Sequence, residues 1–256
     1  MKKILLLILL FCGVNQIEAH QDTLSVKVMT YNLRFGQLAT LDQIAEYIKS
    51  FNPDFVALQE VDCYTHRELA PHQNGKDFIS TLAYKSGLFA LYGKTINYSG
   101  GYYGVGILSK YPYIDVKKVL LPNPKSAEER AILYATYEVG KDTLVFAVTH
   151  LDVNSENTRK LQAQYIDQEF SEMKYPIILG GDFNATPTEP AISMVFDKRW
   201  LNATNKDFSF PASHPDTKID YIFSFPKTKW QLVRTQTIQS CLSDHLPIVS
   251  EIRFIK

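Results

Sequence analysis

Apolar positions along the chain follow two rhythms. In residues 24–33, LSVKVMTYNL, Val26, Val28 and Thr30 alternate with Lys27, Met29 and Tyr31, the period of a strand. Thr40 and Gln43 then form a capping box for a helix whose apolar face carries Leu41, Ile44, Ala45 and Ile48. PDFVALQEV is a second strand, and KDFISTLAYKSG is a helix that Gly87 ends. A β-rich middle follows: LFALYG, GVGILSK, DVKKVLL, AILYATYEV and TLVFAVTHL, with a hairpin turn at Gly140-Lys141-Asp142. Asn154 or Ser155 caps a long helix that runs through Met173, with Leu161, Tyr165, Ile166 and Phe170 on its apolar face. YPIILGGD is the next strand, Pro190 opens a short helix, and KIDYIF, LVRTQTI and PIVSEIRF are closing strands.

Strands arrive both in βαβ order and in hairpin runs, so the sheets are expected to be mixed. The amphipathic helices need a sheet face on which to bury, which predicts two sheets packed face to face with helices outside. No repeat or Pro/Gly/Ser-rich linker divides the chain. Its 256 residues, 45% hydrophobic, suit one large domain.

The first residues differ in kind. Lys2 and Lys3, the apolar run from Ile4 to Phe11, and Ile17-Glu18-Ala19 read as an export signal over residues 1–19, leaving a domain over 20–256. The run is short for a membrane span, so no stable anchor is expected, and the bulky Phe11 disfavours a lipid anchor on Cys12. A periplasmic or secreted protein follows, with Cys63 and Cys241 as unpaired thiols. Positive and negative charges balance over the chain, and no basic run marks a nucleic-acid footprint. Nucleic acid stays open as a partner on weaker grounds, and a monomer is expected.

Chemistry gathers at strand ends. PIILGGDFNATP ends an apolar strand in Asp182 and Asn184, which point the same way if the backbone stays extended. Gly180, Gly181, Asp182, Asn184 and Pro187 are all turn formers, so taken locally a simple turn is the better explanation. Other strands end at Asn32, at Gln59-Glu60 and at His150, Asp220 starts KIDYIF, and Asp244-His245 precede the last strand. Each alone has an ordinary structural explanation. Together they supply hard oxygen ligands for a divalent cation and imidazoles to handle protons and phosphate oxygens.

MTYNLR, LQEV, GVGILSK, VTHLD, GGDFNATP, KIDYIF and LSDHLPI, in this order, resemble the endonuclease/exonuclease/phosphatase superfamily, whose fold is deoxyribonuclease I-like. The resemblance runs from about Met29 to Val249 and implies a four-layer α/β sandwich that hydrolyses a phosphodiester or phosphomonoester. It implies Mg²⁺, or else Mn²⁺ or Ca²⁺, held by Asn32 and Glu60 with Asp244 direct or water-mediated. It also implies that Asp182 orients or deprotonates the attacking water, and that Asn184 holds that water or a phosphate oxygen. His245, oriented by Asp220, would contact the phosphate, as would His150. Arg130 matches an active-site arginine on a vaguer motif, against the alternative of a solvated surface residue. Nuclease, phospholipid or sphingomyelin diesterase and small-phosphoester phosphatase remain open. The alternative in another class is a catalytically inactive binding module on the same scaffold.

Four further features have two explanations each. GGYYGVGILSK reads as a flexible substrate-side loop before a strand, on which Tyr102 and Tyr103 either stack on a base or sugar or are structural. His66 and Arg67 either touch substrate or belong to a solvated loop, and His214, in FPASHPDTKID, either reaches the site or, the favoured reading, lies apart from it.

Overall fold

The computed structural model describes residues 24–255; the expected export signal, with Cys12, lies outside them. Strands β1 (Ser25–Asn32), β2 (Phe55–Cys63), β3 (Phe89–Tyr98) and β4 (Gly101–Ser109) come first, then β5 (Tyr113–Leu120), β6 (Ala131–Val139), β7 (Asp142–His150) and β8 (Ile177–Asp182). The short β9 (Leu201–Asn202) precedes β10 (Asp220–Phe225), β11 (Trp230–Thr237) and β12 (Ile248–Phe254). Helices α1 (Leu41–Ser50), α2 (Phe78–Ser86) and α3 (Glu156–Ser171) lie between them.

The strands form two six-stranded mixed sheets, ordered β11-β12-β1-β2-β4-β3 and β5-β6-β7-β8-β10-β9. Each sheet has one parallel pair near its centre, β1 with β2 and β7 with β8, and each pair is joined by a crossover helix, α1 or α3. The sheets pack face to face through Val26, Val28, Phe55, Ala57, Ile107, Phe146, Val148, Ile178 and Ile222. Met29, Tyr31, Val56 and Leu58, on the opposite side of the first sheet, bury against Ile44 and Ile48 of α1 and Phe78 and Leu82 of α2. Val145, Ala147, Ile177 and Leu179 do the same against Ala163, Ile166 and Phe170 of α3. Alternate strand residues therefore serve two different cores, and the result is the four-layer, deoxyribonuclease I-like α/β sandwich expected from the sequence.

Local signals explain several boundaries. Thr40 Oγ1 accepts from Gln43 N–H while Gln43 Oε1 accepts from Thr40 N–H, so the capping box forms, worth about 1 kcal/mol. Ser155 caps α3, and Gly87 ends α2 at φ +75°. Pro190 leads into a π-helical turn, Ala191–Phe196, instead of an ordinary α-helix.

Three expectations need correction. GVGILSK is strand as expected, but the segment before it is not a loop: β4 already starts at Gly101 and includes Tyr102 and Tyr103. Its glycines are there for close packing, since a Cβ on Gly106 would lie 2.7 Å from Ile79 Cδ1. Leu161 is 44% exposed, and α3 buries Thr158, Arg159 and Gln162 beside Ala163, Ile166 and Phe170. Gln162 accepts from Asp152 N–H and donates to Pro122 O, while Arg159 donates to Asp152 O, Val153 O and Glu189. Those polar side chains are buried because they hold the loop after β7. Helix α3 also ends at Ser171, short of Met173. Cys63 is buried, Cys241 is exposed, and both are free thiols. Among the described residues no helix is long and apolar enough to cross a membrane.

Candidate active site

Both central parallel pairs end at the same edge of the sandwich. Asn32 closes β1; Glu60, expected at a strand end, instead sits at a bulge inside β2 with φ +55°, while across the sheet interface His150 closes β7 and Asp182 closes β8. Register sets up the rest: Asp182 pairs with His150 on one side and with Asp220 on the other. Residues in register on neighbouring strands project to one face, so three ionisable side chains form a row about 4.8 Å apart at the backbone. Sheet closeness comes from Gly180, where an added Cβ would lie 2.7 Å from Ala57 Cβ. That approach brings Asn32 Nδ2 within 3.0 Å of Asp182 Oδ2, a hydrogen bond between the two sheets.

The loop between β11 and β12 adds His245. Its Nδ1 lies 2.9 Å from Asp220 Oδ2 and its Nε2 lies 3.7 Å from Asp182 Oδ2. Ser209 Oγ donates to the same Asp220 oxygen at 2.6 Å, and the Phe210 ring lies 4.7 Å from the imidazole. His150 Nε2 approaches Asp182 Oδ2 at 3.5 Å. Because Arg130 Nη1 donates to His150 Nδ1 at 3.0 Å, the neutral ring carries its proton on Nε2, toward Asp182.

Burial and neighbouring charge separate the two histidines. Burial, with Arg130 and His245 adding to it, pushes the His150 pKa well below its ordinary value, so this ring is neutral. For His245 burial opposes the charge, but Asp220 and Asp182 outweigh it and raise the pKa to about 10, so this ring is an imidazolium. Burial and the nearby Asp220 charge raise the Asp182 pKa, giving it an unusual affinity for a proton.

Oxygen donors collect on the other side of Asp182. Asn32 Nδ2 also donates to Glu60 Oε1 at 3.1 Å, and burial raises the Glu60 pKa, with the Asp244 charge contributing. Asp244 is held from outside by Arg34 Nη1 at 2.7 Å. Glu60, a desolvated carboxylate bonded to a neutral amide and with the Asp244 charge nearby, fits a divalent cation that would compensate it. Asp182, Asp220 and His245 form another tight set, with ligand atoms within 4.8 Å of one another. Two Asp220 Oδ2 contacts are already spent on Ser209 and His245, which suits a proton network better than a cation cage.

Asn32, Glu60, His150, Asp182, Asp220, Asp244 and His245 thus come together, and Arg130 joins them as a buried residue, not a solvated one. Asn184 differs from the extended arrangement. It sits at φ +47°, its N–H bonds Asp182 Oδ1 at 2.9 Å, and its Nδ2 donates to Leu151 O at 3.0 Å. The turn and the site are therefore one structure, with Asn184 helping to fix Asp182. Arg67 is not in a solvated loop: it makes a two-pronged bond to Asp62. His214 is exposed. Sequence reasoning missed Arg34, Ser209 and Lys218. Lys218 is buried, 4.6 Å over the Tyr221 ring, and burial lowers its pKa to about 8. Arg34 and Lys218 each lie two residues from Asn32 or Asp220 in sequence, which was the available signal, whereas Ser209, eleven residues before Asp220, offered none.

Similar solved structures share this architecture. An endonuclease/exonuclease/phosphatase from Beutenbergia cavernae superposes with a TM-score of 0.75 at 21% identity, over 90% of this chain and 72% of that one. A mannosyl-6-phosphatase from Bacteroides thetaiotaomicron gives 0.70 at 17% identity, over 89% and 99%. The human Nocturnin catalytic domain with bound sulfate gives 0.69 at 20% identity, over 90% and 93%. The profile of the Endonuclease/Exonuclease/phosphatase family matches residues 29–245, which spans every site residue named above, and the chain belongs to that family.

Proposed function

We propose that this protein is an exported, divalent-metal-dependent phosphoesterase acting on a small, accessible phosphoester. The observation that carries the reading is Asp182: a buried carboxylate with raised proton affinity, fixed by Asn32 and Asn184 and flanked by one neutral and one charged histidine.

A divalent cation held by Asn32, Glu60 and Asp244 would supply Lewis-acid polarisation of the phosphoryl group and stabilise the leaving oxygen. The protein groups do the rest. Asp182 orients the attacking water and takes its proton, while His245, drawn to its charged form by Asp220 and Asp182, serves as a cation beside the phosphate. Held by Asp220, His245 places positive charge against the phosphoryl oxygens, where charge grows in the transition state. His150 presents its Nε2–H to the same region, its tautomer fixed by Arg130. The absence of a basic run in the sequence favours a small substrate over a polynucleotide, whose binding rests on phosphate contacts.

The test is turnover by the purified protein with Mg²⁺ or with EDTA, on duplex DNA, RNA, bis-p-nitrophenyl phosphate, sphingomyelin and sugar phosphates. Metal-dependent hydrolysis of a small ester, exceeding that of DNA, is expected. Activity that persists in EDTA would overturn the metal reading, and DNA as the best substrate would overturn the substrate class.

A further inference from the structure

One residue touches two of the three oxygen ligands assigned to the cation. Arg34 N–H donates to Asn32 Oδ1 at 2.9 Å, and Arg34 Nη1 donates to Asp244 Oδ2 at 2.7 Å. The two contacts differ in kind. The first is a backbone bond to a neutral oxygen that keeps a second lone pair for a cation. The second is an ion pair, in which the guanidinium already supplies the positive charge that a cation would bring to Asp244.

The backbone around this contact is fixed. Arg34 sits at φ +45° and Phe35 at φ +42°, left-handed conformations that a side chain disfavours and that surrounding contacts must hold. Gln73 Nε2 donates to Gly36 O at 3.1 Å and to Ala39 O at 2.7 Å, and the Phe35 ring centroid lies 4.1 Å from the Arg67 guanidinium. Ser243 Oγ donates to Asn32 O at 2.7 Å, which ties the loop carrying Asp244 to the end of β1. What can move is the Arg34 side chain, 37% exposed against 23% for that of Asp244.

A cation on Asp244 would share the carboxylate with the guanidinium, and two positive charges there repel. Because the pair opens to solvent, the arginine can leave at little cost in hydration. We propose that Arg34 is a built-in counter-ion: it holds Asp244 in place in the metal-free protein, and the divalent cation displaces its guanidinium while the Arg34 N–H stays on Asn32. Arg34 therefore sets how much free cation the site needs. The proposal rests on the metal-dependent reading above. A purely structural clamp predicts the opposite sign, since removing a clamp weakens metal binding and removing a competitor tightens it.

Mn²⁺ binding to the purified protein, followed by calorimetry and by loss of the free-ion EPR signal, reads that sign. Arg34→Gln, which keeps the backbone N–H, should tighten binding about tenfold, and Arg34→Lys, which keeps the charge, should stay within about twofold of the wild type. In an Asp244→Asn background, Arg34→Gln should change nothing. In the NMR spectrum of the wild type, the Arg34 Nε–H signal, identified by its loss in Arg34→Gln, should shift as Mg²⁺ is added. Unchanged or weaker Mn²⁺ binding by Arg34→Gln would overturn the proposal and leave the metal site standing. So would the same tightening in the Asp244→Asn background, or an Arg34 signal that stays unmoved at saturating Mg²⁺. If none of these folded proteins binds Mn²⁺, the metal reading itself fails and the proposal with it.

Discussion

Asp182 and Asp220 are register partners across β8 and β10, and His245 bridges them, 2.9 Å from Asp220 and 3.7 Å from Asp182. Two buried carboxylates this close repel, and the imidazolium between them offsets that repulsion. Asp220→Asn keeps the shape and removes one charge. We expect kcat to fall about a hundredfold and the His245 pKa to drop, read by steady-state kinetics and an NMR titration of the ring protons. An unchanged ring titration would contradict the bridge.

The pH profile follows from the same row. Asp182 must be ionised to take a proton, and its pKa is raised by burial and Asp220, so activity falls on the acid side at a higher pH than an ordinary carboxylate gives. His245 must be charged, so activity falls again as pH rises through about 10. Stability has its own signs. The raised His245 pKa contributes stability that is complete below the ordinary value of 6.5 and lost as pH rises toward 10. The lowered His150 pKa acts oppositely: below 6.5 the unfolded chain takes up a proton that the folded ring refuses, so stability declines there. Melting and turnover measured from pH 5 to 10.5 check both limbs.

Arg130 tests the tautomer. Arg130→Met keeps much of the buried volume but removes the donor to His150 Nδ1. We expect a loss of about 1–3 kcal/mol in stability and about tenfold or more in kcat. A variant that melts lower yet turns over normally would make Arg130 structural alone.

Glu60→Gln tests the oxygen-donor side. With the carboxylate gone, the Mg²⁺ concentration for half-maximal activity should rise about tenfold or more, while melting in EDTA stays near that of the wild type. An unchanged metal titration would sink the assignment.

Much of this was legible in sequence because it is local. The Thr40–Gln43 cap, the period-two strands and the polar strand ends each lie within a few residues, and the order of GGD, KIDY and SDH fixes which strands carry them. What escaped depends on distant partners. Leu161 looked like core, but Gln162 and Arg159 took the buried face to bind loops near residues 122, 152 and 189. The segment from Gly100 to Tyr103 looked like a loop, because sequence alone does not show that β2 presses against Gly101. Ser209 and Arg34 carry no motif of their own; their roles appear once Asp220 and Asp244 are in place.

The central claim is that Asp182 performs the chemistry and is held for it at some cost to the fold. Asp182→Asn removes a buried charge whose ionisation the folded state disfavours, while the amide fills the same space. The most direct measurement is turnover of this variant on the best wild-type substrate in saturating Mg²⁺, with its melting temperature. The prediction is a loss of activity of about a thousandfold or more in a protein that melts no lower than the wild type. A variant that still turns over at a rate near the wild type would contradict the account, and one that unfolds would return Asp182 to a structural role.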